Sequence, residues 1–206
     1  MSNINKQSYA FTALTPIIAG RTEGIVHLAE LRAVLARLGR DGTSPFARVP
    51  GTHFARFTVI EDVPQLGFPT ESDVLQSKYL MLESDFDGAR DAWLDGLRSH
   101  MSDTITAVYR HCLGFPGLHD AAAWRRYLVR CQLDTTLDFS PFDGDSLPSV
   151  QRALETQRRF VGFVHAMQGR PPEQLQAAFR RFLADGAAKR DATVRDATAR
   201  NDGSTA

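Results

Sequence analysis

Apolar positions along this chain recur at two spacings, and the switches between them mark out its elements. Residues 7–18 alternate, with Tyr9, Phe11 and Ala13 on one face and Ala10, Thr12 and Leu14 on the other, and Pro16 helps to end this first predicted strand. Ile25, Leu28, Leu31, Leu35 and Leu38 then fall at helical steps, giving an amphipathic helix with Thr22 as its predicted N-cap and Gly39 and Gly42 as its stop. Residues 52–60 and 78–83 form a central strand pair, rich in β-branched, aromatic and aliphatic side chains. Their connection, residues 62–77, holds Pro64, Gly67 and Pro69 and so is irregular over part of its length.

An acidic turn over residues 83–88 closes the second central strand and leads into a helix. That helix carries Trp93, Leu97, Met101, Ile105, Val108 and Cys112 on one stripe, until Gly114, Pro116 and Gly117 break it. Asp120 caps a shorter helix bearing Trp124, Tyr127, Leu128 and Cys131. In residues 133–140, Leu133, Thr135, Leu137 and Phe139 alternate with Asp134, Thr136, Asp138 and Ser140, the pattern of a strand with one wet face. The order is β-α-β-β-α-β, which predicts an α+β, ferredoxin-like antiparallel sheet over residues 7–140 with helices on one face. Residues 141–184 read as a C-terminal helical extension packed on that core, its two helices separated by Pro171 and Pro172. Residues 185–206 are too poor in large apolar side chains to offset ordering entropy and read as a disordered or fraying tail.

Composition narrows the classes of partner. Among 206 residues, 24 basic and 24 acidic side chains balance to zero. The charges are interspersed and form no basic stripe for phosphates, so a nucleic-acid partner is not expected. No apolar run is long enough for a membrane span, and the polar start has no signal-peptide core. Cys112 and Cys131 make no disulfide framework, so reduced thiols and a cytoplasmic location follow.

Candidate chemistry is sparse. No phosphate loop, nucleophile elbow, zinc-binding helix motif or paired-cysteine spacing is present. Residues 83–91 resemble a calcium loop, but the place of its bidentate glutamate is taken by Leu94, so a capped helix start with Asp at the positive end of the dipole reads better. His53 and Arg56 lie on opposite faces of the central strand by parity. On a face left bare by helices, Arg56 would suit an anionic ligand; paired with Glu83 or Asp138 it would be structural, the simpler reading because buried charges are usually paired. Phe86 to Gly88 and Phe142 to Gly144 repeat one short string, read as two solutions of the same turn.

The order of these elements resembles that of the dimeric α+β barrel superfamily, which includes small monooxygenases, chlorite-dismutase-like proteins and dye-decolorizing peroxidases. The likeness covers about residues 7–140 and is one of topology. The peroxidases carry a Gly-x-x-Asp-Gly motif, and neither the string ending at Gly88 nor the one ending at Gly144 has its first glycine, so no catalytic residue carries over. Residues 44–56 and 111–117 are also similar to a family of uncharacterised bacterial proteins, which brings no activity with it. Where the resemblance implies haem, the ligand would be His111 or His165, though both read more simply as residues at the edge of an apolar face.

The sequence therefore predicts a homodimer, or an extension folded back, covering the open sheet face. Its function reads as non-catalytic or accessory binding of an apolar or anionic small molecule between sheet and cover, with Arg56, His53, His111 and His165 as candidate ligand-binding residues. The alternative is a dimeric-barrel enzyme, either haem-dependent and peroxidase-like or a cofactor-free oxygenase.

Overall fold

A computed structural model describes residues 3–40, 42–62, 74–138 and 145–186. The chain forms two compact units, residues 1–148 and 149–206.

The first unit is a mixed α+β fold. Its strands are β1 (Ile4–Asn5), β2 (Ser8–Pro16), the short pair β3 (Arg21–Thr22) and β4 (Ile25–Val26), β5 (Thr52–Asp62), β6 (Val74–Asp87) and β7 (Gln132–Leu133). The helices are α1 (His27–Leu35), α2 (Arg90–His100), α3 (Ser102–Tyr109) and α4 (Ala121–Arg130). The main sheet is antiparallel and runs β1-β2-β6-β5, with β7 also pairing with β2.

Alternation in β2 and β6 decides which face is buried. Phe11, Ala13 and Thr15 from β2 are buried on one side with Leu80, Leu82, Ser84 and Phe86 from β6. The buried side chains of α1 to α4, among them Leu31, Leu97, Ile105, Val108 and Leu128, join the apolar members of this set in one cluster. Within it Phe86 and Trp93 stack with centroids 4.2 Å apart, and the Trp93 indole donates to Thr52 Oγ1 at 2.9 Å. The other face carries Thr12, Glu83, Asp85, Phe54 and Arg56. Along it the register sets Thr12 opposite Glu83 and Glu83 opposite Arg56.

Four local expectations are corrected. Thr22 is not a helix cap: it belongs to a tight β3–β4 hairpin whose turn residues Glu23 and Gly24 both have positive φ, as a type I′ turn demands. The first helix starts only at His27. The stretch after Gly88 is two helices, not one, because Met101 adopts φ −134° and ψ 25°. Met101 is buried nonetheless, so the apolar stripe passes through the break without marking it.

The acidic stretch before Gly88 remains strand to Asp87, and α2 starts at Arg90, its N-cap Ala89 supplying no side-chain cap. Finally, among the described residues the predicted strand over residues 133–140 pairs only at Gln132 and Leu133. Extended further along β2 it would meet positions already taken by β1, since Ile4 opposes Tyr9 and the Ala10 amide donates to the Asn3 carbonyl. Residues 134–138 leave the sheet, and the Thr135 amide donates to Asn3 Oδ1. The Asp120 cap is present as expected, accepting from the Ala122 and Ala123 amides.

Helix α5 (Leu147–Met167), which enters the second unit at residue 149, and a helix over residues 172–186, α6, form a hairpin turned by Gly169 at φ +72°. The interior of the long connection (63–73), the repeat at Phe142 to Gly144 and the tail from 187 lie outside the described residues.

Candidate functional site

The site with most chemistry is on the face of the sheet opposite α1 to α4, and a backbone irregularity builds it. Thr52 opposes Phe86 and Phe54 opposes Asp85, so His53 is an extra residue on β5, a β-bulge. Such an insertion re-aims a side chain that regular pleating would send to the other face. Parity puts His53 on the helix side; the bulge brings its Nε2 within 2.8 Å of Asp87 Oδ1 on the open side. The other oxygen of Asp87 accepts from the Leu147 amide at 2.7 Å. Gly51, at φ +76°, makes the approach possible, because a Cβ there would stand 3.3 Å from the Asp87 Cβ.

Beside this pair lies a cleft of about 360 Å³. Its floor is Thr12, Glu83 and Asp85 of the sheet, and its walls are Phe54 on one side and Leu133, Leu137 and Asp138 on the other. Leu137 is 88% exposed and Phe54 46%, so apolar surface is offered to whatever enters. Burial holds the Asp85 carboxyl above the usual carboxylate range; His53 opposes that shift, while Asp138 and Asp87 add to it. Asp85 Oδ1 and Asp138 Oδ2 are buried without a hydrogen-bond partner among the described residues. Buried polar atoms in folded proteins nearly always have one, so the two oxygens mark where a donor is missing.

The sequence candidates separate in space. Arg56 is on the open face and is held by Glu83, with 2.6 Å between Nη2 and Oε2. It also lies over the Phe54 ring, 5.6 Å from its centroid. Its charge is therefore compensated, the structural alternative weighed for it. His111 is on the helix side of the sheet, just after α3, and is 5% exposed. Its Nδ1 is 3.2 Å from Nδ1 of His27, so one ring nitrogen donates to the other. Burial, then His27, lowers the His111 pKa. His165 is exposed on α5 in the second unit. Of the sequence candidates, then, only His53 and Arg56 share a face, and the bulge put His53 there.

The sequence offers Asp85 and Asp87 only as part of a calcium-like loop that lacks its bidentate glutamate, and Asp138 only as a partner for Arg56; His27 has no place in that reading. Asp85 and Asp87 had a signal, an acid at alternate positions of a strand, but they were read as a turn. Among the described residues no group of three or more His, Cys, Asp or Glu side chains is placed to hold a metal ion, and no helix is long and apolar enough to cross a membrane. Cys112 and Cys131 are free thiols, and burial pushes the Cys112 pKa up to about 12. Compared with known proteins, the chain matches no family model, no curated protein and no solved structure.

Proposed function

We propose that the first unit binds a small organic cation, an amine with an apolar body, in the cleft on the open sheet face, and that it acts as a binding or accessory protein. The two buried oxygens of Asp85 and Asp138 carry this reading. An ammonium group supplies up to three N–H donors and a positive charge, which answers both unpartnered acceptors at once. Phe54, Leu133 and Leu137 suit the apolar part of such a ligand and Phe54 its cationic head. The reading keeps the small molecule between sheet and cover that the sequence suggests. It takes a cation in place of an anion because Arg56 is engaged with Glu83. The strand order β7-β2-β6-β5, antiparallel at every pairing, supports kinship with ferredoxin-like dimeric barrels. The free thiols support a reducing, cytoplasmic setting.

Titration calorimetry with phenethylammonium and with phenylacetate as its anionic counterpart tests the proposal. Binding of the amine alone, lost in Asp85→Asn and Asp138→Asn, is the expected result. Binding of the anion, or amine binding untouched by both substitutions, overturns it.

A second reading, a cofactor-free enzyme, draws on the His53–Asp87 pair next to a carboxyl whose pKa is raised. A cleft carboxyl whose pKa is raised by burial, beside a hydrogen-bonded imidazole, is a common feature of acid–base sites. Proton exchange of a bound ketone's α-hydrogens, followed by NMR and abolished in His53→Gln, would favour it.

A further inference from the structure

We infer that the second unit is a self-association module: its helical hairpin pairs with the hairpin of a second copy of this chain to complete a four-helix bundle. None of the residues of α5 is buried, although the helix has 21 residues and carries a full apolar stripe. Phe160, Phe163, Phe179 and Phe182 cluster between α5 and α6, with Phe163 and Phe182 centroids 5.3 Å apart. That cluster is as much core as two helices provide. Leu154, Phe160, Val161, Val164, Leu175, Phe179 and Leu183 remain between 40% and 52% exposed.

The size of this surface points to a second copy. Taking about 150–250 Å² for each Phe and less for each Leu and Val, the exposed fractions add to roughly 500 Å² of apolar surface per hairpin, hence roughly 1,000 Å² for two, about the least that a specific interface needs. Its shape agrees. Between the helices runs a groove of about 540 Å³, lined by Phe160, Val164, Met167, Leu175 and Phe179 among others. A groove between two helices accepts the ridge of another helix, the packing found in bundles.

Charge selects among occupants. Residues 149–186 hold six arginines against three carboxylates, a net charge of +3. No charged side chain lines the groove. An anionic membrane or acidic peptide would be met by the arginines, away from the groove, whereas a second hairpin fills the groove without any counter-charge.

The test uses the full chain in sedimentation equilibrium over about a hundredfold range of concentration, where mass action separates monomer from dimer. The expected mass is twice the 22.8 kDa of one chain, and Val164→Asp with Leu175→Asp raises the dissociation constant at least tenfold while helical circular dichroism is kept. A photo-crosslinking residue at Gln176 should capture residues 149–186 of the other copy, and this decides the matter if the double variant loses helix. A monomer at every concentration, a dimer indifferent to the double variant with its helix intact, a crosslink to residues 1–148, or a monomer that co-sediments with phosphatidylserine vesicles would each overturn the inference. None of these readouts depends on amine binding by the first unit.

Discussion

His53 Nε2 sits 2.8 Å from Asp87 Oδ1 across two strands whose regular pleat would send these side chains to opposite faces. The bulge at His53 removes that conflict and sets an imidazole among Asp85, Asp87 and Asp138. Without it Asp85, Asp87 and Asp138 would stand together without that imidazole.

That contact makes the first prediction. His53→Ala takes the donor from Asp87 and the compensating charge from Asp85, and should cost about 1–3 kcal/mol, the range for leaving a buried polar group unpaired. Asp85→Asn, added to it, should recover part of the loss by removing one of the like charges. Urea denaturation of the two single variants and the double one checks this as a cycle, and strict additivity would show that the residues are not coupled.

Gly51 supports the same corner from its backbone. Gly51→Ala forces a Cβ into a left-handed conformation and against the Asp87 Cβ at 3.3 Å. A loss of about 1–2 kcal/mol is expected from the backbone alone, read as a lower midpoint in the same denaturation experiment. A neutral result would mean that the approach of the two strands is looser than described.

Arg56 and Glu83 are partly exposed, with side chains 55% and 35% accessible. Solvent screens such pairs, so Arg56→Ala should change stability by less than about 1 kcal/mol. It should instead strengthen binding of an amine probe several-fold, because Glu83 is released into the cleft. Calorimetry on the variant gives both the sign and the size.

The buried His111 makes stability depend on pH. Burial lowers the His111 pKa, the neighbouring His27 and Arg110 lower it further, and Glu30 works against them. The folded state therefore binds fewer protons than the unfolded state just below the ordinary histidine value of about 6.5. Stability from this group is complete above that value and is lost as pH falls below it through the lower folded-state value. Unfolding free energies at pH 7.5 and 5.5 should differ in that direction, and His111→Gln should flatten the difference.

Gly162 lies mid-way along α5 with nothing within 4 Å of where a Cβ would be. No neighbour calls for glycine there, and glycine inside a helix costs about 0.5–1 kcal/mol relative to alanine. Gly162→Ala should raise the thermal midpoint of the helical signal. A fall would indicate a close approach at that position in the assembled protein.

The sequence alone determined most of the buried half of the first unit. Phe11 and Ala13, Leu80 and Leu82, and the stripe from Trp93 through Ile105 and Val108 to Cys112 are all in the core, because period and burial are local consequences of the pleat and the helical turn. Composition likewise marked Asp120 as a cap and glycines as turns. Tertiary structure decided the rest. The break at Met101 is invisible to periodicity because both helices bury the same stripe. The fourth strand stops after Leu133 because β1 occupies the edge of β2 it would need, and no local pattern records that competition. The cleft depends most on tertiary structure. A one-residue bulge moves His53 across the sheet, and register, not spacing, places Glu83 against Arg56 and Asp85 opposite Phe54. Side chains meet across strands through pairing that the sequence encodes only in the summed burial of the whole sheet.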